Sequence, residues 1–378
     1  MPGNTFLTPT IIADVGLLAL ENNLVMANLV YRGHDKEFKK IGDTARVRKP
    51  ATFVAVEFDG DLSGDFQDIT EGSVDVKLDK ILTVPFEITQ RQLSLDVKDL
   101  TEQVIEPAAR ALAQGIDSLL TGLYADIPYF VDVAGSPKVD DIANVRKMLL
   151  NNRVPMDDQK SGVLSPNTEA KYNTLEAFLH AEKRGDTTTV KQGSMGQLFG
   201  VMWYVDQNIK KHTVGTDDLA GAIFAGGTLA GATSIKVDDL AASGTIKKGT
   251  LVTIKNTAGT AYRPGQYVVT ADATITSNTA TLSIYPALLE ANAEDDVVTL
   301  HAPDLANLVF HKNAFCLATA PLVEPLGGAQ AAVREYKGIS MQVVFSWDHN
   351  TMKNVGTMSI LCGAKTLQPE LAVRFCDA

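Results

Sequence analysis

The chain has 378 residues, 45% of them hydrophobic and 21% charged, and a formal net charge of −11. That length predicts two domains or more, and an acidic balance without a Lys/Arg-rich block argues against affinity driven by phosphate neutralisation. Cys316, Cys362 and Cys376 form no close pair at metal-ligand spacing and fit buried thiols in a reducing compartment, while no apolar run reaches the ~18 residues of a membrane span and Met1 to Pro9 lacks the basic start of a secretory signal.

In chain order, Ile11, Ile12, Val15, Leu18, Ala19, Val25 and Leu29 recur at mixed three and four spacing. They predict a helix from Thr10, open to a break at Gly16 or at Asn22-Asn23. Residues 32–42 read as a polar loop. Residues 44–49 alternate, 53–58 continue extended, and 73–79 alternate again with Val74, Val76 and Leu78 on one face. These arms flank the Gly/Asp-rich segment 59–72 and predict a long β-hairpin projecting from the body.

Residues 100–125 give the longest predicted helix. Val104, Ala108, Ala111, Leu112, Ile116, Leu119 and Leu123 make its apolar face, with Arg110, Gln114, Asp117 and Thr121 off it. Pro107 marks a kink or the true start, because proline is best accepted in a first turn. A helix over 138–152, a buried strand over 161–164 and a helix over 167–183 follow. The glycine-spaced segment 193–205 ends in Met202-Trp203-Tyr204-Val205.

Residues 232–302 change character. Short alternating runs at 234–237, 250–254, 266–269, 281–284 and 297–300 are separated by turn residues including Gly249, Pro264-Gly265 and Ser277-Asn278. That spacing predicts a small antiparallel barrel or sandwich set into the chain at about 221–302. Val252, Ile254, Leu282 and Ile284 are its expected core. The segment from Gly226 to Gly231 imitates a phosphate loop in composition only and predicts a flexible domain junction. After Pro303, strands are expected at 308–310 and 341–347, with 355–362 and 371–375 closing the sheet.

Little in the chain looks like a reactive centre. Asp59, Asp61, Ser63 and Asp65, with Gly64, imitate the start of an EF-hand calcium loop. Thr70 sits where the bidentate glutamate belongs and the flanks are strand-patterned, so a solvated hairpin tip is the stronger reading and no metal site is assigned. His34, His180, His212, His301, His311 and His349 are scattered and read as surface or capping residues. No nucleophile elbow is present, so no catalytic or cofactor-binding residue is assigned. Trp203 and Trp347 are expected as core or interface anchors.

The order of elements resembles the Hong Kong 97 fold of tailed-bacteriophage major capsid proteins, in the podophage coat-protein branch with an inserted β-barrel. Four segments carry the resemblance: 107–117, 192–206, 247–254 with 280–288, and 307–322. It implies an α+β fold with an N-terminal arm (1–42), an extended hairpin (43–80), and a peripheral domain with a spine helix (81–137). An apical and peripheral body (138–220 and 303–378) would carry the inserted barrel (221–302). It further implies a non-enzymatic, cofactor-free subunit that self-assembles into hexamers and pentamers of an icosahedral shell around double-stranded DNA. Scaffolding, portal and decoration or cement proteins are the implied partners, with no membrane and no sequence-specific DNA contact. The implied location is the virion capsid, assembled in the host bacterial cytoplasm. A nanocompartment shell of the same fold and a soluble enzyme with a β accessory domain are the competing readings.

Overall fold

The two arms of the predicted hairpin pair antiparallel, Thr44–Arg48 against Ser73–Lys77, with Thr44 opposite Lys77 and Arg48 opposite Ser73. The computed structural model describes residues 9–32, 44–48, 73–89, 101–133, 137–179, 193–216, 219–223, 227–325, 330–348 and 353–377. The extended run 53–58 and the Asp59, Asp61, Ser63 and Asp65 set lie outside the described residues. The chain divides into two units, one of Met1–Asn23, Tyr31–Ile116 and Phe315–Leu367, the other of Leu24–Val30, Asp117–Ala314 and Gln368–Ala378.

The first unit is built on a five-stranded antiparallel sheet. Its 14-residue strand Lys353–Thr366 pairs with Lys80–Thr89, Ile339–Asp348 and Phe315–Ala320, and Gln330–Tyr336 pairs with Ile339–Asp348. The helix Pro9–Asn23 buries Ile12, Ala13, Leu17 and Leu20. Gly16 does not break this helix; it lets the helix approach the methyl ends of Met358 and Met341. The break falls at Asn23, where the predicted asparagine pair stands. Val76 and Leu78 point inward as expected and join Cys316, Ala318 and Leu361 in one cluster. Trp347 is 41% exposed and so anchors no part of this core.

The predicted helix over 100–125 has three parts: a π-helical turn Thr101–Ile105, the α-helix Glu106–Thr121 and a 3-10 turn Gly122–Asp126. Pro107 stands second in the α-helix, at its junction with the π-helical turn, where its missing N–H interrupts the hydrogen-bond ladder as the helix changes type. Ile105, Ala109, Leu112, Ile116 and Leu120 are buried, whereas Ala111, expected on the apolar face, is exposed. Asp117 and Thr121, expected off that face, are buried. The hydroxyl of Thr121 donates to Asn208 O at 3.1 Å, and Asp117 accepts from the Val25 and Ala27 N–H groups at 2.8 and 3.0 Å. Buried polar groups tolerate their site because each finds a partner.

The body of the second unit is a six-stranded mixed sheet in the order Phe130–Val133, Ala372–Asp377, Leu305–His311, Lys160–Leu164, Val201–Val205, Gln197–Leu198. The helix Val139–Asn151 buries Ile142, Val145 and Leu149 in a cluster with Val201, Trp203, Val309 and Phe375. The helix expected over 167–183 is shorter. It starts at Pro166, capped by the Ser165 side chain, and ends at Asn173, with a further turn at Glu176–Leu179. Thr174 explains the stop, because its hydroxyl takes the Lys171 carbonyl at 2.8 Å and competes with the helical ladder.

The inserted segment closes into a six-stranded antiparallel barrel in the order Leu251–Lys255, Tyr267–Val269, Ala280–Tyr285, Ser234–Asp238, Ala220–Ile223, Val297–Leu300 and back to the first. The five strands read from sequence are all present. Ala220–Ile223 and the side pair Ser243–Ile246 with Ala273–Thr276 were not legible, since Ala, Gly, Ser and Thr carry little alternation. Val252, Ile254, Leu282 and Ile284 lie in the barrel core, as does Val214, which precedes the expected boundary at 221. The expected flexible junction is instead pinned over 227–231. Thr228 and Asn292 exchange N–H···O bonds of 3.0 and 2.8 Å, and Gly231 N–H donates to Leu288 O at 2.7 Å.

Candidate functional site: the root of the barrel

The barrel joins the body through a paired stem. His212 N–H donates to Asp304 O at 2.7 Å and Ala306 N–H to Lys210 O at 3.1 Å, so the entering and leaving chains run side by side. Beneath the barrel floor, Leu251 and Val268 pack with Phe130 and Cys376 of the body sheet, and Tyr285 joins at the margin. Polar ties ring this apolar contact. The Gln266 side chain pairs with the Phe130 backbone, accepting its N–H at 2.9 Å and donating to its C=O at 3.0 Å. Tyr285 donates its hydroxyl to Glu370, and Lys248 pairs with Asp126 at 2.8 Å.

Arg374 is the centre of the joint. It stands in the strand Ala372–Asp377, whose every residue is buried, and is itself 0% exposed. One terminal nitrogen donates to Gly249 O at 2.6 Å, the other lies 3.2 and 3.4 Å from the two Asp304 oxygens, and the guanidinium stacks 4.9 Å from the centre of the Tyr124 ring. A buried charge is tolerated when paired and hydrogen-bonded in this way. Gly249 is required here twice over: its φ is +88°, and a Cβ would lie 2.8 Å from the Ala125 Cβ.

Tyr124 also touches His212, ring edge against face at 5.6 Å. The hydrogen-bond directions follow from the chemistry. Thr250 donates its hydroxyl proton to Lys247 O at 2.7 Å, so it accepts from His212 Nε2–H at 3.1 Å. Nδ1 then accepts from the Tyr124 hydroxyl, also at 3.1 Å. His212 is thereby held neutral. Burial, assisted by the Arg374 charge, lowers its pKa from 6.5 to about 4.

His301, Asp304 and Cys376 bring a nitrogen, an oxygen and a sulfur within 4.8 Å of one another, a donor set that a metal ion would accept. Two of the three donors already have another task. His301 Nδ1 faces Ala302 O at 3.0 Å and Nε2 lies 3.5 Å from Asp132 Oδ2, while Asp304 faces Arg374. Burial alone would lower the His301 pKa, but the bonds to Asp132 and Ala302 O outweigh it and hold the pKa above its usual value. The group therefore reads as one buried ion pair, Arg374 with Asp304, beside a hydrogen-bonded His301–Asp132 contact nearer the surface. That arrangement locks geometry.

The described histidines are not surface residues, and the capping half of the expectation is met by His311, whose Nδ1 accepts the Asn313 N–H at 3.3 Å at the start of the 3-10 turn Lys312–Ala314. His212 and His311 are buried and His301 is half-buried, because each has polar partners; His311 Nε2 donates to Asp157 at 3.0 Å. His34, His180 and His349 lie outside the described residues. The three cysteines are free and buried, as expected. Among the described residues no helix is long and apolar enough to cross a membrane. Sequence reasoning passed over Arg374, Asp304, Tyr124 and Gln266. The one available signal was an arginine inside the otherwise apolar run Ala372-Val373-Arg374-Phe375-Cys376.

Comparison with known proteins matches this architecture. A chain of Mycobacterium phage Che8 superposes with a TM-score of 0.51 at 14% identity, over 93% of this chain and 90% of that one. The capsid of the cyanophage P-SCSP1u follows at a TM-score of 0.47, 12% identity, and 90% and 84% coverage. The capsid of Ralstonia phage GP4 gives 0.46, 9% identity, and 89% and 84% coverage. No curated protein matches the sequence. The superposition on the Che8 chain, together with the family match below, gives a fold of the Hong Kong 97 capsid type, with a closed barrel inserted. The family model described as P22 coat protein, gene protein 5, matches residues 3–265, and the chain accordingly belongs to the P22 coat protein family, whose members are the major capsid proteins that build the phage shell.

Proposed function

We propose that this chain is a shell subunit without catalytic activity, and that its inserted barrel is a separately folding brace held rigidly to the body by the Arg374–Asp304 joint. The observation that carries this reading is the construction of the root: an apolar contact ringed by directed hydrogen bonds and one buried ion pair, Arg374 with Asp304, suited to transmitting load. Catalysis would require a group left free to react, and at the root His301 and Asp304 are both engaged.

The shell would enclose double-stranded DNA and assemble with scaffolding and portal proteins in the host bacterial cytoplasm. A net charge of −11 suits a container that must not grip its contents. Negative-stain microscopy of the purified chain, alone and with its phage's scaffolding protein, tests the reading. Closed shells are expected; a chain that stays monomeric in both mixtures overturns it. The unassembled chain is expected to bind duplex DNA only weakly, and sub-micromolar, salt-sensitive binding contradicts the proposed acidic lining.

A further inference from the structure

The edge of the body sheet carries an apolar patch that the subunit itself does not cover. The hairpin Gln197–Leu198 with Val201–Val205 turns through Phe199 and Gly200, with φ values of +51° and +74°. Positive φ suits Gly200, but Phe199 is an uncommon residue there. Its carbonyl is fixed by Arg146 Nη1 at 2.7 Å. This bulky side chain is held in an unfavourable backbone conformation and is still 40% exposed. Backbone strain that local packing does not reward points to a use elsewhere.

Phe199 is not isolated. Met156, 84% exposed, and Leu150, 38% exposed, line with it a cavity of about 250 Å³ floored by Leu149, Val154 and Val201. Arg146, Asp157, Asp158 and Lys160 stand at its rim, so both signs of charge border an apolar centre. Anchors in a pocket within a polar rim are the anatomy of a protein contact.

We propose that this patch is a contact site for a second copy of the same chain. Copies of a chain with net charge −11 repel at long range, so their association needs a local apolar anchor. A rim of mixed sign can meet its own kind without like charges facing. The inference rests on the shell reading, since a coat subunit buries its surface chiefly against its own copies. The sheet edge itself is only two residues long here, too short to carry the contact by strand pairing.

The native thiols are all buried, so Met156→Cys places a single reactive cysteine at the patch. Maleimide labelling is expected to be fast on the dissociated chain and at least tenfold slower on assembled shells; equal rates in both states overturn the proposal. Met156→Asp and Phe199→Asn give a second arm. The first changes an exposed side chain, and asparagine tolerates the left-handed turn, so melting temperatures at or above the native value are expected. The concentration needed for assembly, read by light scattering, should rise at least tenfold. Native shells alongside variant shells formed at unchanged concentration overturn this inference alone. A native chain that remains monomeric both alone and with scaffolding protein overturns the shell reading and this inference with it.

Discussion

Arg374 and Asp304 face each other across 3.2 Å with 0% and 1% of their surfaces exposed, one from the last strand of the body and the other from the stem of the barrel. A pair so enclosed is more informative about arrangement than about strength. Ionised groups removed from water regain little net energy from each other, but either one alone becomes an uncompensated buried charge.

Asp304→Ala and Arg374→Met should therefore each cost about 3–5 kcal/mol, and the double variant less than the sum of the two. Urea unfolding of the four proteins measures the coupling. Additive losses would show that the pair does not act as a unit.

The stem and joint should respond to acid through His212. Its pKa lies at about 4 in the fold against 6.5 when free, so between those values the unfolded chain binds a proton that the fold refuses. Its contribution to stability is complete above pH 6.5 and is lost as pH falls toward 4. His212→Gln should flatten that part of the curve of melting temperature against pH. An unchanged slope would place the acid sensitivity elsewhere.

Asp117 should act in the opposite sense. Burial chiefly, with the nearby Asp206 charge as a further cause, raises its pKa from 3.8 to about 6. The fold then holds the proton more tightly than the unfolded chain does, so this contribution is complete below pH 3.8 and lost as pH rises through 6. Relative to the native chain, Asp117→Asn should gain about 2–3 kcal/mol between pH 4 and pH 8, the size expected of such a shift. Calorimetry at both pH values checks the sign.

The barrel should fold alone if cut outside Val214 rather than at 221, because that side chain is 1% exposed within its core. Residues 210–306 keep both halves of the stem, and a cooperative melt with dispersed amide resonances is expected. In the full chain Ile254→Asp places an unpaired charge at a site 1% exposed, costs more than about 4 kcal/mol and yields aggregated coat protein. Normal assembly of that variant would refute the core assignment.

For the long hairpin, Val76 and Leu78 belong to the core of the first unit, so a deletion reaching Leu78 would unfold it. Removing only 49–72 and joining Arg48 to Ser73, which already face each other, by Asn-Gly keeps the paired base. A folded subunit that forms no shells is expected if the removed segment reaches over a neighbour. Shells of native size would contradict that role.

Much of the fold was legible because alternation is strong where strands carry Val, Ile and Leu against Lys, Ser and Thr, as in Ser234–Asp238 and Ala280–Tyr285. Ala220–Ile223 was hidden because Ala and Gly fit either face of a strand. On the helix Glu106–Thr121, alanines blurred the apolar face and polarity misplaced Asp117, whose burial depends on N–H groups some ninety residues away in sequence. The root of the barrel was least legible. Arg374, Asp304, Tyr124 and Gly249 have no shared spacing, and only folding brings them together.

The paired stem at Lys210 to His212 and Asp304 to Ala306 has an evolutionary consequence. Two neighbouring antiparallel strands leave the host sheet only about 5 Å apart. The host's packing around Trp203 and Phe375 is its own, while the guest covers only the small floor of Phe130, Cys376 and Arg374. Such a docking port permits exchange. A lineage could trade one passenger domain for another, or an engineer could graft an enzyme or an epitope, by matching two adjacent chain ends and again covering Arg374, Phe130 and Cys376.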